Sequence, residues 1–192
     1  MKRSYLVCCL FVSALIRHLA VAQQSGKSTE PAESAAGPEI ARLAKAIVGD
    51  WNTAESMVKS QFFPKGGSRH GRSHVRLVAG GTSVFAEFHS DGSAGKLDGL
   101  YVIWWDKPTN LYRFFVCFND SKSPCKLRGT AHWEGDTFVN VYEEEVDGKM
   151  TEWRDSFIHI TANSHSLVAA MDAGDGTMKT LITTTSTRRQ AP

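Results

Sequence analysis

From Trp51 onward, short apolar and β-branched stretches alternate with turn signals of only a few residues. The separators are Gly80-Gly81, Asp106-Lys107-Pro108, Glu134-Gly135-Asp136, Asp147-Gly148 and Ala173-Gly174-Asp175-Gly176. Turns this short join neighbouring strands as antiparallel hairpins. A parallel pair needs a crossover of about a dozen residues or more, and none of these separators is that long. The strand-like runs fall at 74–79, 83–89, 100–105, 111–118, 125–133, 137–144, 151–160, 166–171 and 179–186, with 51–59 before them. They predict about ten strands. A meander of that length leaves exposed edges unless the sheet closes or splits into two layers. The expectation is closure: an all-β, up-and-down antiparallel barrel.

Alternation within the runs gives the sheet two unlike faces. Residues 125–133 place Leu127, Gly129, Ala131 and Trp133 on one side, and Lys126, Arg128, Thr130 and His132 on the other. Residues 151–160 set Trp153, Phe157 and His159 against Glu152, Arg154 and Ser156. Parity alone leaves open which set faces inward. Residues 39–48 carry Ile40, Leu43, Ala44 and Ile47 at helical spacing, with Glu39 at the start and Gly49 as the stop. They predict one short amphipathic helix packed on the domain.

Gly49-Asp50-Trp51, directly after that helix, resembles the Gly-x-Trp signature of lipocalins and related calycin barrels. Arg188 and Arg189 end the last strand, where those families place an arginine over the tryptophan. A wider pattern over residues 43–189 includes Gly99 through Trp105-Asp106, Tyr112, Gly129-Thr130 before Trp133, Gly148-Lys149 and Arg154. It resembles a bacterial family of exported lipocalin-like domains with no established activity. The resemblance implies a lipocalin-like barrel with Trp51 and Arg188 closing one end. A guanidinium over an indole contributes about 0.5–2 kcal/mol. It implies no reaction, because a fold is not a function.

The first residues have a different character. Lys2-Arg3, an apolar run over 5–16 and the exit Ala20-Val21-Ala22 are the parts of a secretory signal peptide, expected over 1–22. Arg17 and His18 cut the apolar run short of the roughly 20 residues a stable membrane span needs. Residues 23–38 contain no large hydrophobe and read as a flexible linker, which leaves 39–189 as one domain. The expected destination is the periplasm or the extracellular space. Loss of Lys2, Arg3 and Arg17 leaves 19 basic against 20 acidic residues and turns the formal charge from +2 to −1. A near-neutral chain lacks the electrostatic footprint of nucleic-acid binding. Beyond residue 22 the cysteines are Cys117 and Cys125. In an exported protein an even count points to a disulfide, the alternative being two buried thiols.

No motif names a reaction. Gly-x-Ser-x-Gly, a phosphate-cradling glycine loop, Cys-x-x-Cys and His-Glu-x-x-His are all missing. His70 and His74 share a face with Arg72 and Arg76, a poor setting for a metal. Glu143-Glu144-Glu145 reads as an exposed strand end, and 172–176 as a tight turn without calcium-loop spacing. Asn119-Asp120-Ser121 is a formal glycosylation sequon. Glu87 and Asp155, both beside aromatics, are the candidate carboxylate pair. His159 is the histidine best suited to an apolar pocket, with heme as the cofactor alternative; otherwise it is an ordinary surface or hydrogen-bonded histidine.

The aromatics Trp104, Trp105, Tyr112, Phe114, Phe115, Trp133, Tyr142 and Trp153 provide enough apolar surface for a core or a lined cavity. Arg113, Arg128 and Arg154 recur near strand centres. Facing inward, they would bind an acidic or carbonyl-bearing group; facing outward, they are surface residues. The expected ligand-contacting set is Arg154, Tyr112, Trp104, Trp153, Glu87 and His159, without a metal. The leading reading is a barrel that binds a small apolar or acidic molecule without catalysis. Its alternatives are a heme-binding or enzymatic use of the same cavity, and an interaction module with a filled core.

Overall fold

The computed structural model describes residues 36–119, 125 and 127–190. The expected signal peptide (1–22), most of the linker (23–38) and Ser121 of the sequon lie outside the described residues.

The described residues form one α-helix, α1 (Pro38–Ile47), a short 3₁₀ turn at Ala79–Gly81 and ten strands. The strands are β1 (Gly49–Met57), β2 (Gly67–Val78), β3 (Ser83–Gly92), β4 (Leu97–Asp106) and β5 (Leu111–Phe118), then β6 (Leu127–Glu134), β7 (Thr137–Val146), β8 (Lys149–Ile158), β9 (Ser164–Asp172) and β10 (Met178–Arg188). Each strand pairs antiparallel with its sequence neighbours, and β1 pairs with β10 to close the barrel. The closing register runs from Trp51 opposite Arg188 to Met57 opposite Ile182. Closure removes every sheet edge, the outcome expected of such a meander. Between β7 and β8, Asp147 and Gly148 both take left-handed backbone angles (φ 51° and 78°), the geometry of a two-residue primed hairpin turn.

Two strand starts differ most from the sequence reading. β2 begins at Gly67 rather than near residue 74, and β4 at Leu97 rather than residue 100. The first half of β2 shows no apolar alternation because its inward positions are Arg69 and Ser73. Arg69 sits directly opposite Glu55 of β1, and the two form a buried ion pair at 2.7 Å. A strand whose interior partner is a charge is invisible to a hydrophobic pattern.

α1 starts with Pro38, whose fixed φ suits a first helical position. It buries Ile40, Leu43, Ala46 and Ile47, and ends as Val48 turns extended. The helix caps one end of the barrel. Tyr112 Oη donates to the Glu39 carbonyl (2.7 Å), Trp51 Nε1 donates to the Ile47 carbonyl (2.9 Å), and Arg42 lies 4.1 Å over the Trp133 ring while donating to the Gly135 carbonyl. Beneath it Trp51, Tyr112, Phe114, Phe138 and Ile103 are fully buried. Each such side chain contributes about 1.5–3 kcal/mol on leaving water. Cys117, in β5, is bonded to Cys125 across the β5–β6 connection. Among the described residues no helix is long and apolar enough to cross a membrane.

Candidate functional site

Below the helical cap the barrel is not filled. A cavity of about 250 Å³ extends from Ile47 and Val75 at the capped end towards Leu97 and Phe118 at the other. Its walls are largely apolar, with Phe88, Trp153, Phe157, Leu167 and Ile182 among them. At the end opposite the cap, Phe62 from the β1–β2 connection packs edge-on against Trp153, centroids 5.3 Å apart.

Four polar features interrupt this lining. The Glu55–Arg69 pair is the first: Arg69 Nε and a second guanidinium nitrogen both reach Glu55 Oε2, at 2.8 and 2.7 Å. The second gathers Asp155, Asn140, Tyr101 and Tyr142. Asn140 and Asp155 are direct cross-strand partners. Tyr101 Oη donates to Asn140 Oδ1 at 3.0 Å, and Tyr142 Oη donates a long bond, 3.4 Å, to Asp155 Oδ1. Burial pushes the Asp155 carboxyl up to about 7, the Tyr142 bond opposes that, and the negative charge of Glu144 adds to it. Burial likewise raises both tyrosine hydroxyls well above their ordinary range.

His165 is the third feature. It meets the Trp51 ring edge-on at 4.5 Å and lies 5.7 Å from Phe157. Burial, reinforced by the Arg188 charge, pushes it down to about 4, so it is neutral at physiological pH. Last, three buried polar atoms have no hydrogen-bond partner among the described residues: Ser90 Oγ, Trp153 Nε1 and His165 Nδ1. All three residues line the cavity.

Of the six residues expected to contact a ligand, Trp153 lines this cavity. Tyr112 is buried under α1, its hydroxyl engaged by Glu39 and by Trp133 Nε1. Trp104 lies on the outer face, whereas Trp105, one residue on, packs inward against Tyr112. Glu87 is exposed on β3 between inward Ala86 and Phe88, so the proposed Glu87–Asp155 pair is not assembled. Arg154 points outward and bonds Glu134 at 2.6 Å, and Arg113 pairs with Asp106. Arg128 is exposed. His159 is exposed beyond the end of β8 with φ 51°, where the left-handed turn breaks the parity that would have carried it inward. His70, Arg72, His74 and Arg76 all face out. Among the described residues no group of three or more His, Cys, Asp or Glu is placed to hold a metal.

The residues that furnish the polar interior were mostly passed over in sequence. Asp155 shares the parity of Trp153 and Phe157, and His165 that of Leu167 and Ala169. Carrying the alternation strictly through both strands would have marked them.

Two solved structures share this architecture. The S-type phycobiliprotein lyase CPES from Guillardia theta aligns over 80% of this chain and 94% of its own, with TM-score 0.52 and 13% identity. Rv2717c from M. tuberculosis aligns over 81% of this chain and 99% of its own, with TM-score 0.56 and 11% identity. The fold is lipocalin-like. No protein-family profile and no curated protein matches the chain. Identities this low carry the fold and not the chemistry.

At the capped end of the lipocalin-like barrel, the Arg188 guanidinium lies 4.3 Å above the Trp51 ring. It also donates to the carbonyls of Ala162 (2.6 Å) and Val48 (3.1 Å). A Cβ on Gly49 would collide with this guanidinium, and Gly49 itself has φ 146°. The glycine, tryptophan and arginine are therefore one packing unit.

Proposed function

We propose that this barrel is an exported protein that binds a small, partly apolar molecule in its interior, without catalysing a reaction on it. One observation carries the reading: the barrel encloses a largely apolar cavity of about 250 Å³, and three residues of its lining, Ser90, Trp153 and His165, each bury a polar atom that lacks a partner among the described residues. Leaving a buried polar group unpaired costs about 1–3 kcal/mol. A guest with a hydrogen-bonding group on an apolar body offsets that cost while filling aromatic-lined space. The similarity in fold to a phycobiliprotein lyase fits a barrel that accommodates a small molecule. The disulfide fits an oxidising compartment.

The test is a thermal-shift and native-mass screen of the purified protein against small apolar compounds bearing one polar group. A compound present at about 100 times its Kd stabilises by about 2.7 kcal/mol, a rise in Tm of about 5–10 °C at this size. No shift with any compound, together with no co-purifying mass, overturns the reading. Export is checked separately by mass spectrometry of the mature protein, expected to begin at Gln23. An unprocessed chain retained in the cytoplasm removes that part.

A further inference from the structure

The charged groups lining the cavity do not balance. Glu55 and Arg69 neutralise one another at 2.7 Å. His89 touches the cavity but bonds Asp98 on the outer surface at 2.9 Å. The arginines expected to attract an acidic guest, Arg113, Arg128 and Arg154, all lie outside. Among the described residues, what remains facing the interior is one carboxylate, Asp155, held by a long bond from Tyr142. Beside it the Trp153 and Tyr142 rings stack with an interplanar angle of 10° and centroids 6.1 Å apart. A carboxylate without a cation, next to aromatic faces, complements a positive nitrogen on an apolar body.

We propose that the guest of this cavity is an organic amine, its protonated nitrogen paired with Asp155 and its apolar body lying against Trp153 and the neighbouring aromatics. This rests on the small-molecule reading above and narrows it to one charge class. A cationic guest supplies the counter-charge that the barrel withholds from Asp155. An anionic guest meets a like charge in a desolvated space, which is strongly unfavourable. Burial, Tyr142 and Glu144, the last two from β7, set the charge of Asp155; the other ionisable groups in the lining are Tyr101 from β4, the Glu55–Arg69 pair from β1 and β2, His89 from β3, engaged by Asp98, and His165 from β9. The pair is self-compensated, the tyrosines stay protonated, and His165 stays neutral above about 4. Asp155 is therefore a buried group of the cavity whose charge changes near neutrality, at about 7.

The experiment is calorimetry on the mature protein with matched triads of probes. Each triad is one apolar body, phenyl, indolyl, naphthyl or n-octyl, carried as the ethylamine, the ethyl alcohol and the acetate. At pH 8 an amine is expected to bind at least about tenfold tighter than its alcohol, with the acetate weakest, as expected for a desolvated charge pair. Lowering the pH to 5.5 weakens the amine by about tenfold and leaves the alcohol nearly unchanged, because the amine stays charged while Asp155 takes up its proton. Asp155→Asn, an isosteric change checked by near-ultraviolet circular dichroism, removes both the amine preference and the pH dependence but keeps alcohol binding. Tyr142→Phe removes the bond that holds the Asp155 carboxyl down, so the fall in amine affinity is expected to move to higher pH, a shift that a merely structural role would not produce. Alcohols or acetates binding as tightly as amines overturn the proposal while the small-molecule reading stands. If no member of any triad binds, the small-molecule reading falls and this proposal with it.

Discussion

Asp155 and His165 bury ionisable groups in one cavity and shift in ways that oppose each other in stability. Asp155 rises from 3.8 to about 7, so between those values the folded chain holds a proton that the unfolded chain has released. Its contribution is fully present below about 4 and is lost as pH climbs through about 7. His165 falls from 6.5 to about 4, so there the unfolded chain holds the extra proton. Its contribution is present above 6.5 and is lost as pH falls through about 4. Between pH 4 and 6.5 the two largely cancel, which predicts a flat stability profile from these groups. Substitution separates them. Asp155→Asn is expected to be more stable than the parent at pH 8, by about 2–4 kcal/mol for a shift of this size, and nearly equal to it at pH 4. His165→Gln should gain relative to the parent as pH drops from 6.5 to 4. Urea denaturation at five pH values measures both, and matching slopes in parent and variants would refute the assignment.

At the scale of elements, the capped end and the β5–β6 connection make separate predictions. Gly49, Trp51 and Arg188 link α1 and β1 to β10 at the point where the barrel closes. Arg188→Ala removes the cation–π contact and two donated bonds, with an expected loss of about 1–3 kcal/mol. Gly49→Ala places a Cβ on the guanidinium at a backbone angle that side chains rarely adopt, and a similar loss is expected. Both should lower Tm by about 3–10 °C in calorimetry, and the double variant should lose less than the sum, because the two changes break one contact. The Cys117–Cys125 bond closes a loop of sequence separation 8, for which chain entropy gives about 2.5 kcal/mol. Cys117→Ala with Cys125→Ala should cost about that much while far-ultraviolet circular dichroism stays unchanged, since the β5–β6 ladder from Tyr112 opposite Ala131 to Val116 opposite Leu127 forms without it.

For the whole molecule, the ribbon order was legible in the chain because hairpin turns are local, and closure followed from the edges that so long a meander would otherwise expose. Gly135, Asp147-Gly148 and the turn around Gly174 each fix a neighbour pair within a few residues. The alternation in β6 and β8 separates the two faces of the sheet, and the run Gly49-Asp50-Trp51 marks where the helix gives way to β1. The interior chemistry was legible only in part. Arg154 and Glu87 stand one residue from cavity-lining neighbours, and a sequence cannot say which face of a strand meets the cavity. His159 followed the right parity up to a left-handed turn that ended the strand before it.

The sequence by itself determined the strands, their antiparallel order, the capping helix and the position of the cysteine pair, because these depend on turn chemistry and periodicity within short windows. Only the tertiary structure decided which charges the barrel encloses. Glu55 meets Arg69 from another strand, and Asp155 lies beside hydroxyls from β4 and β7. Whether a buried charge finds a partner depends on side chains that close in space from distant parts of the chain, and it is this that left Asp155 facing the cavity without a cation.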